Sequence, residues 1–138
     1  MMVNEMKCFW GNEKMRKILF KGKRVDTGEW VEGFPFPSIP GEELNRMTVF
    51  EQYQGGTVVN TYKIVSSTLC QYIGLKDKNG TIVFESDKVY DPNKNKIFVV
   101  KWDNELASFV LIDEDGWINR EITRMFYCKV IGNIHDNE

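Results

Sequence analysis

Turn signals recur along this chain at intervals of roughly ten residues, each set between apolar runs of strand length rather than helix length. Asn79-Gly80, inside "LKDKNGTIVF", is the sharpest of them, because Asn-Gly between alternating apolar residues is the strongest short hairpin signal. Gly55-Gly56 sits between Val49/Tyr53 and the run Val58, Val59, Tyr62, Ile64, Val65, and suits a primed turn with positive φ. Asp26-Thr27-Gly28 supplies the same chemistry inside residues 17–34, which read as strand, tight turn and return strand. Lys96–Trp102 and Ala107–Ile112 form a third pair joined by "DNEL", and Asp113–Gly116 turns the chain again. Val130–Ile134 reads as a last strand with a bulge at Gly132.

Two stretches break the pattern. "FPFPSIPGEE" holds Pro35, Pro37 and Pro40, and proline gives nothing to a ladder, so the stretch predicts an exposed loop or an edge. Trp117–Tyr127 has room for one or two short helical turns, with Asn119 as cap and Ile122 and Met125 one turn apart. The predicted fold is therefore mainly β. An N-terminal β-hairpin region (15–65) packs on a small, SH3-like, partly open barrel in the C-terminal half (66–138), the two making one domain over 15–138. The first 14 residues read as an N-terminal extension outside that domain, one that need not be ordered.

Charge narrows the partners. The net charge is −2, so no global field recruits nucleic acid or an anionic membrane. The distribution is uneven: residues 1–25 carry Lys7, Lys14, Arg16, Lys17, Lys21, Lys23 and Arg24 against Glu5 and Glu13, whereas 103–115 carry five acids and no base. Cys8, Cys70 and Cys128 are odd in number and widely spaced, which predicts reduced thiols in a cytosolic protein rather than a disulfide frame or zinc site. No apolar segment suits a signal peptide or a spanning helix, so no membrane role is expected.

Few residues offer chemistry. Glu85 and Asp87 flank one residue, so on a strand their carboxylates would share a face and could hold a cation. The simpler reading has Asp87 capping a turn backbone with Glu85 solvated. Asp77–Gly80 and Asp113–Gly116 echo calcium loops but lack the full ligand spacing, and hairpin turns account for both. The one histidine, His135, lies near the C-terminus, where a surface or strand-end role is expected. No catalytic residue, metal site or cofactor is predicted. Candidate binding residues are Lys21, Lys23, Arg24 and Trp30, a basic and aromatic set of the kind single-strand nucleic-acid binders use, together with Glu85 and Asp87. The proline-rich loop with Ile39 offers an alternative contact surface for a protein partner.

Three segments together resemble the signature blocks of the YopX family, whose members are carried mostly by bacteriophages and prophages. They are "ILFKGKRVDTGEWVEGF" (Ile18–Phe34), "QYIGLKDKNGTIVFESDKVY" (Gln71–Tyr90) and "VIGNIHDN" (Val130–Asn137). The chain departs from the family pattern at Lys21 (Arg), Ser86 (Gly in Glu-Gly-Asp), His135-Asp136 (Tyr-Glu) and Ser66-Ser67-Thr68 (Pro-Glu-Thr). A Gly at position 86 speaks of backbone geometry rather than chemistry. Residues 35–64 and 91–129 match the family little, and Met15 stands where many members begin. The resemblance implies a mainly β fold and a phage-linked accessory role, and brings no catalytic residues. The expected function is a non-catalytic binding module in the bacterial cytoplasm, self-associating or binding a protein through its strand edges. A nucleic-acid-binding regulator is the alternative.

Overall fold

The computed structural model describes residues 16–137. The expected N-terminal extension, with Lys7, Cys8, Phe9, Trp10 and Lys14, lies outside them. The fold is mainly β, 56% strand in two antiparallel sheets. The strands are β1 Phe20–Lys23, β2 Trp30–Pro37, β3 Leu44–Tyr53, β4 Gly56–Lys63, β5 Cys70–Lys76 and β6 Ile82–Phe84. They continue with β7 Asp87–Asp91, β8 Lys96–Asp103, β9 Ser108–Asp113, β10 Ile118–Asn119 and β11 Lys129–Asn133. One sheet runs β4-β3-β2-β1-β5-β6 and the other β10-β9-β8-β7-β11. Two 3₁₀ turns, Ser66–Thr68 and Ile122–Tyr127, are the helical content.

The apolar alternation builds one principal core. Val83, Val89, Phe98, Val100, Leu111, Met125 and Cys128 are buried together between the end of the first sheet and the face of the second. Each such fully buried aliphatic side chain contributes roughly 1.5–3 kcal/mol. This core belongs to a two-sheet, partly open barrel, as the strand rhythm predicts; the strands do not close into a full barrel. Met47 in β3 and Ile64 just after β4 are buried as well, and an isolated bridge joins Arg24 to Ile64.

Local chemistry explains the turns and revises two of them. Gly80 has φ +79° and its amide bonds the Asp77 carbonyl at 3.0 Å, while Asn79 keeps a negative φ. The Asn-Gly hairpin therefore closes over a longer loop, not the two-residue primed turn that needs positive φ twice. Between β3 and β4 the positive φ falls on Gly56 (+132°), where it pairs with Tyr53, rather than inside a primed Gly-Gly turn. The bulge at Gly132 is present, with the register shifting between Val130 and Gly132.

Two of the three prolines occupy a strand, and Pro40 lies in the loop after it, as expected. Pro35 and Pro37 lie in β2, opposite Met47 and Leu44, in the half of β2 that pairs with β3 alone. The Ile64 amide bonds the Asn45 carbonyl at 2.9 Å, which sets the alternation of ladder bonds on β3. With that phase, the position at which Pro35 lacks an N–H faces the side of β2 that has no neighbour. The proline rule holds locally, at an edge within an inner strand.

Candidate functional site

Two features outside the core involve the residues that the sequence singles out or the apolar surface: a polar cleft where the sheets meet, and a two-stranded arm.

The cleft is built by three distant segments. The chain passes from the first sheet to the second at Glu85-Ser86, with the Glu85 amide on the Gln71 carbonyl (2.9 Å) and the Ser86 amide on the Val100 carbonyl (2.8 Å). Asp87, 2% exposed, closes this corner: its Oδ2 accepts the Phe84 amide at 2.8 Å. Its Oδ1 accepts the Asn133 side-chain amide at 2.9 Å and faces the Lys21 Nζ at 3.5 Å. The Lys21 ammonium also lies 4.4 Å from the Trp30 ring centroid and 4.7 Å from that of Phe84. Asp136 continues the chain of contacts, accepting the Trp30 indole N–H at 3.0 Å and the Asn133 backbone amide at 2.8 Å. The Lys23 Nζ donates to the Asp136 carbonyl at 3.0 Å.

Electrostatics match this enclosure. Burial pushes the Asp87 carboxyl above its ordinary range, against the pull of the Phe84 amide, Asn133 and Lys21. Burial raises Glu85 as well. The cleft, about 370 Å³ and open to solvent, has Lys21, Trp30, Asp87 and Asn133 in its wall. No buried side-chain nitrogen or oxygen among the described residues lacks a hydrogen-bond partner. The arrangement is self-satisfied, and it rivets β1, β2, β7 and β11.

Of the residues singled out in the sequence, Lys21, Lys23, Trp30 and Asp87 therefore meet in one place. Arg24 does not; it points to the opposite face, 2.7 Å from Asp26 and 4.2 Å over the Tyr62 ring. Glu85 and Asp87 share no strand face, because the bend at Ser86 (φ +70°) comes between them. Sequence reasoning passed over Asn133 and Asp136, although the spacing Asn-x-x-Asp after the Gly132 bulge was a signal for a turn that caps itself. His135 is half-buried, and its amide bonds the Asn133 Oδ1 at 2.9 Å.

The acidic turns do the same kind of work. Asp77 accepts the amides of Asn79 and Thr81 on one oxygen and that of Val130 on the other. Asp113 accepts those of Asp115 and Trp117. Neither turn is part of a metal-holding cluster among the described residues. Asp91 accepts the Asn93 amide at 2.9 Å, and the Arg124 guanidinium approaches it at 2.7 Å.

The arm is different in kind. β2 accompanies β3 only as far as the pair Phe34–Thr48, whereas β3 and β4 stay paired out to Tyr53–Gly56. Residues 49–60 thus form a ribbon with no third strand on either side among the described residues. Phe34, Phe50 and Val59 share one face of it, at 47%, 56% and 56% exposure, and the two Phe rings meet edge to face at 6.1 Å. Tyr53 and Val58 are exposed on the other face. A lone two-stranded ribbon is marginally stable in water, and exposed apolar side chains along an open edge mark an interaction site.

Buried polar rivets, turn-capping aspartates and an apolar arm define a small two-sheet β scaffold. The chain belongs to the YopX protein family, whose model matches residues 20–138. A crystal structure of protein EF1440 from Enterococcus faecalis has the same fold, with a TM-score of 0.58 and 20% identity over 88% of this chain and 95% of that one. No curated protein matches the chain. The family's three signature blocks are the segments that converge on the cleft: Lys21 and Trp30 from the first, Phe84 and Asp87 from the second, Asn133 and Asp136 from the third.

Proposed function

We propose that the protein is a phage or prophage accessory factor acting in the bacterial cytoplasm as a non-catalytic binding module, with the β3–β4 arm as its contact surface. One observation carries this: the ribbon of residues 49–60 projects past β2 with Phe50, Tyr53, Val58 and Val59 half exposed. The single charge on this ribbon, Glu51, is engaged by the hydroxyls of Tyr53 (2.7 Å) and Tyr62 (2.8 Å). An apolar arm whose one charge is negative favours another protein surface over a polyanion. Ile39, 56% exposed in the loop after β2, adds to the apolar surface of this lobe. No helix among the described residues is long and apolar enough to cross a membrane.

The nucleic-acid reading has less to draw on. Lys21, Lys23 and Arg24 each turn toward a partner inside the chain, and Trp30 spends its N–H on Asp136. Binding that falls steeply with salt would be needed to revive it.

Affinity capture from prophage-carrying cells tests the module. The intact chain is compared with the double variant Phe50→Lys, Val59→Lys, after circular dichroism establishes that both fold alike. Partners lost with the variant support the arm as the contact surface; undiminished capture overturns it.

A further inference from the structure

We infer that the arm's occupant is a second copy of this chain, paired antiparallel through β4 about a twofold axis at Val59. This rests on the arm being a docking surface, and it adds the partner and the register.

Hydrogen-bond phase and the number of outward residues paired select that register. The Ile64 amide bonds Asn45 on β3, so alternate β4 residues inward from it (Tyr62, Asn60, Val58) also spend their backbone groups on β3. The Lys63 carbonyl points the other way, to the Val25 amide at 2.9 Å. Thr57, Val59 and Thr61 belong to this outward set, and no strand among the described residues receives their N–H and C=O groups. Two such edges match wherever outward residues lie opposite outward residues, and all three are paired at once when Val59 lies opposite Val59 of the second copy and Thr57 opposite its Thr61.

Side chains agree with the backbone. Exposed edges are normally guarded by charge, proline or a bulge. Gly56–Thr61 has none of these: it is "GTVVNT", uncharged throughout, and its ladder with β3 is regular. The pairing would extend the apolar row Phe34, Phe50, Val59 across the axis into its own image. No charge of either chain lies opposite a like charge along the seam. An isologous interface needs such self-complementarity.

Sedimentation velocity across a wide concentration range tests this, using the full chain and two double variants at exposed positions. Thr57→Glu with Thr61→Glu sets like charges opposite each other twice across the axis; Thr57→Lys with Thr61→Glu sets opposite charges there. The expected result is a dimer, weakened about tenfold or more by the first variant and restored by the second. A dimer weakened alike by both overturns the register. A chain that stays monomeric overturns the second-copy pairing alone, and the docking reading then depends on the Phe50→Lys, Val59→Lys capture. A dimer indifferent to both variants forms through another surface and likewise overturns the pairing, leaving the docking reading to the same capture.

Discussion

Asn133 donates its side-chain amide to Asp87 at 2.9 Å across 46 positions of sequence, both residues being about 2% exposed. The bond ties the last strand to the corner where the chain changes sheets. Because Asp87 also holds the Phe84 amide and faces Lys21, its loss would orphan three partners at once.

Asp87→Ala is therefore expected to cost about 3 kcal/mol, the range for removing one member of a buried charged network. Asn133→Ala should cost about 2 kcal/mol, and the double variant less than the sum. Urea unfolding of the four proteins measures this. Additive losses would mean that the contact carries no energy of its own.

Ser86 has φ +70°, a conformation that costs a non-glycine residue roughly 1–2 kcal/mol. A glycine adopts that geometry without the Cβ penalty. Ser86→Gly should raise stability by about 0.5–1 kcal/mol, part of the relief being offset by a freer unfolded chain. Gly33 presents the opposite case: a Cβ there would lie 2.1 Å from the Thr48 carbonyl oxygen. Gly33→Ala should destabilise by about 2 kcal/mol, and thermal melts will show the two changes moving in opposite directions.

Acid should weaken the fold through its turns. Burial pushes Asp77 up, but the amides of Val130, Thr81 and Asn79 outweigh it and leave the carboxyl below its ordinary value. Asp91 behaves likewise, with Arg124 and the Asn93 and Lys94 amides prevailing. A carboxyl held low when folded adds stability above its unfolded value, near about 4. That stability is lost as pH falls through the folded value. Asp87 runs the other way, since a raised carboxyl is relieved by protonation. Stability measured against pH should thus fall below about pH 4, and Arg124→Gln should shrink the part of that fall due to Asp91. A pH profile unchanged by Arg124→Gln would contradict the pairing.

Cys70 and Cys128 are both buried, and burial pushes each thiol up to about 11. In a Cys8→Ser background, both should resist alkylation at neutral pH until the chain unfolds. Fast labelling of the native protein would contradict their burial.

The hairpins, the bulge at Gly132 and the mainly β architecture were legible because turn chemistry and alternation are local. Whether Asn79-Gly80 closes a short or a longer loop was not, since Asp77 selects the loop by capping two of its amides. Pro40 was legible as a loop residue, but Pro35 and Pro37 were not legible as strand residues, because strand order is a tertiary fact: β2 lies inside the sheet, yet Pro35 faces no neighbour. Lys21, Lys23 and Arg24 read alike in sequence as one basic set. Strand alternation sends Arg24 to the other face, and folding supplies Asp87 and Asp136 from remote segments. The arm was hidden for the same reason, because nothing in residues 49–60 records that β2 departs at Thr48.

Residue-resolved amide exchange, measured on dilute and on concentrated protein, tests the arm most directly. The expected result is that Thr57, Val59 and Thr61 exchange freely when dilute and slow as the protein assembles. Val58 and Asn60, already bonded to β3, should change less. Exchange at Thr57, Val59 and Thr61 that stays fast in the assembled sample would contradict the account.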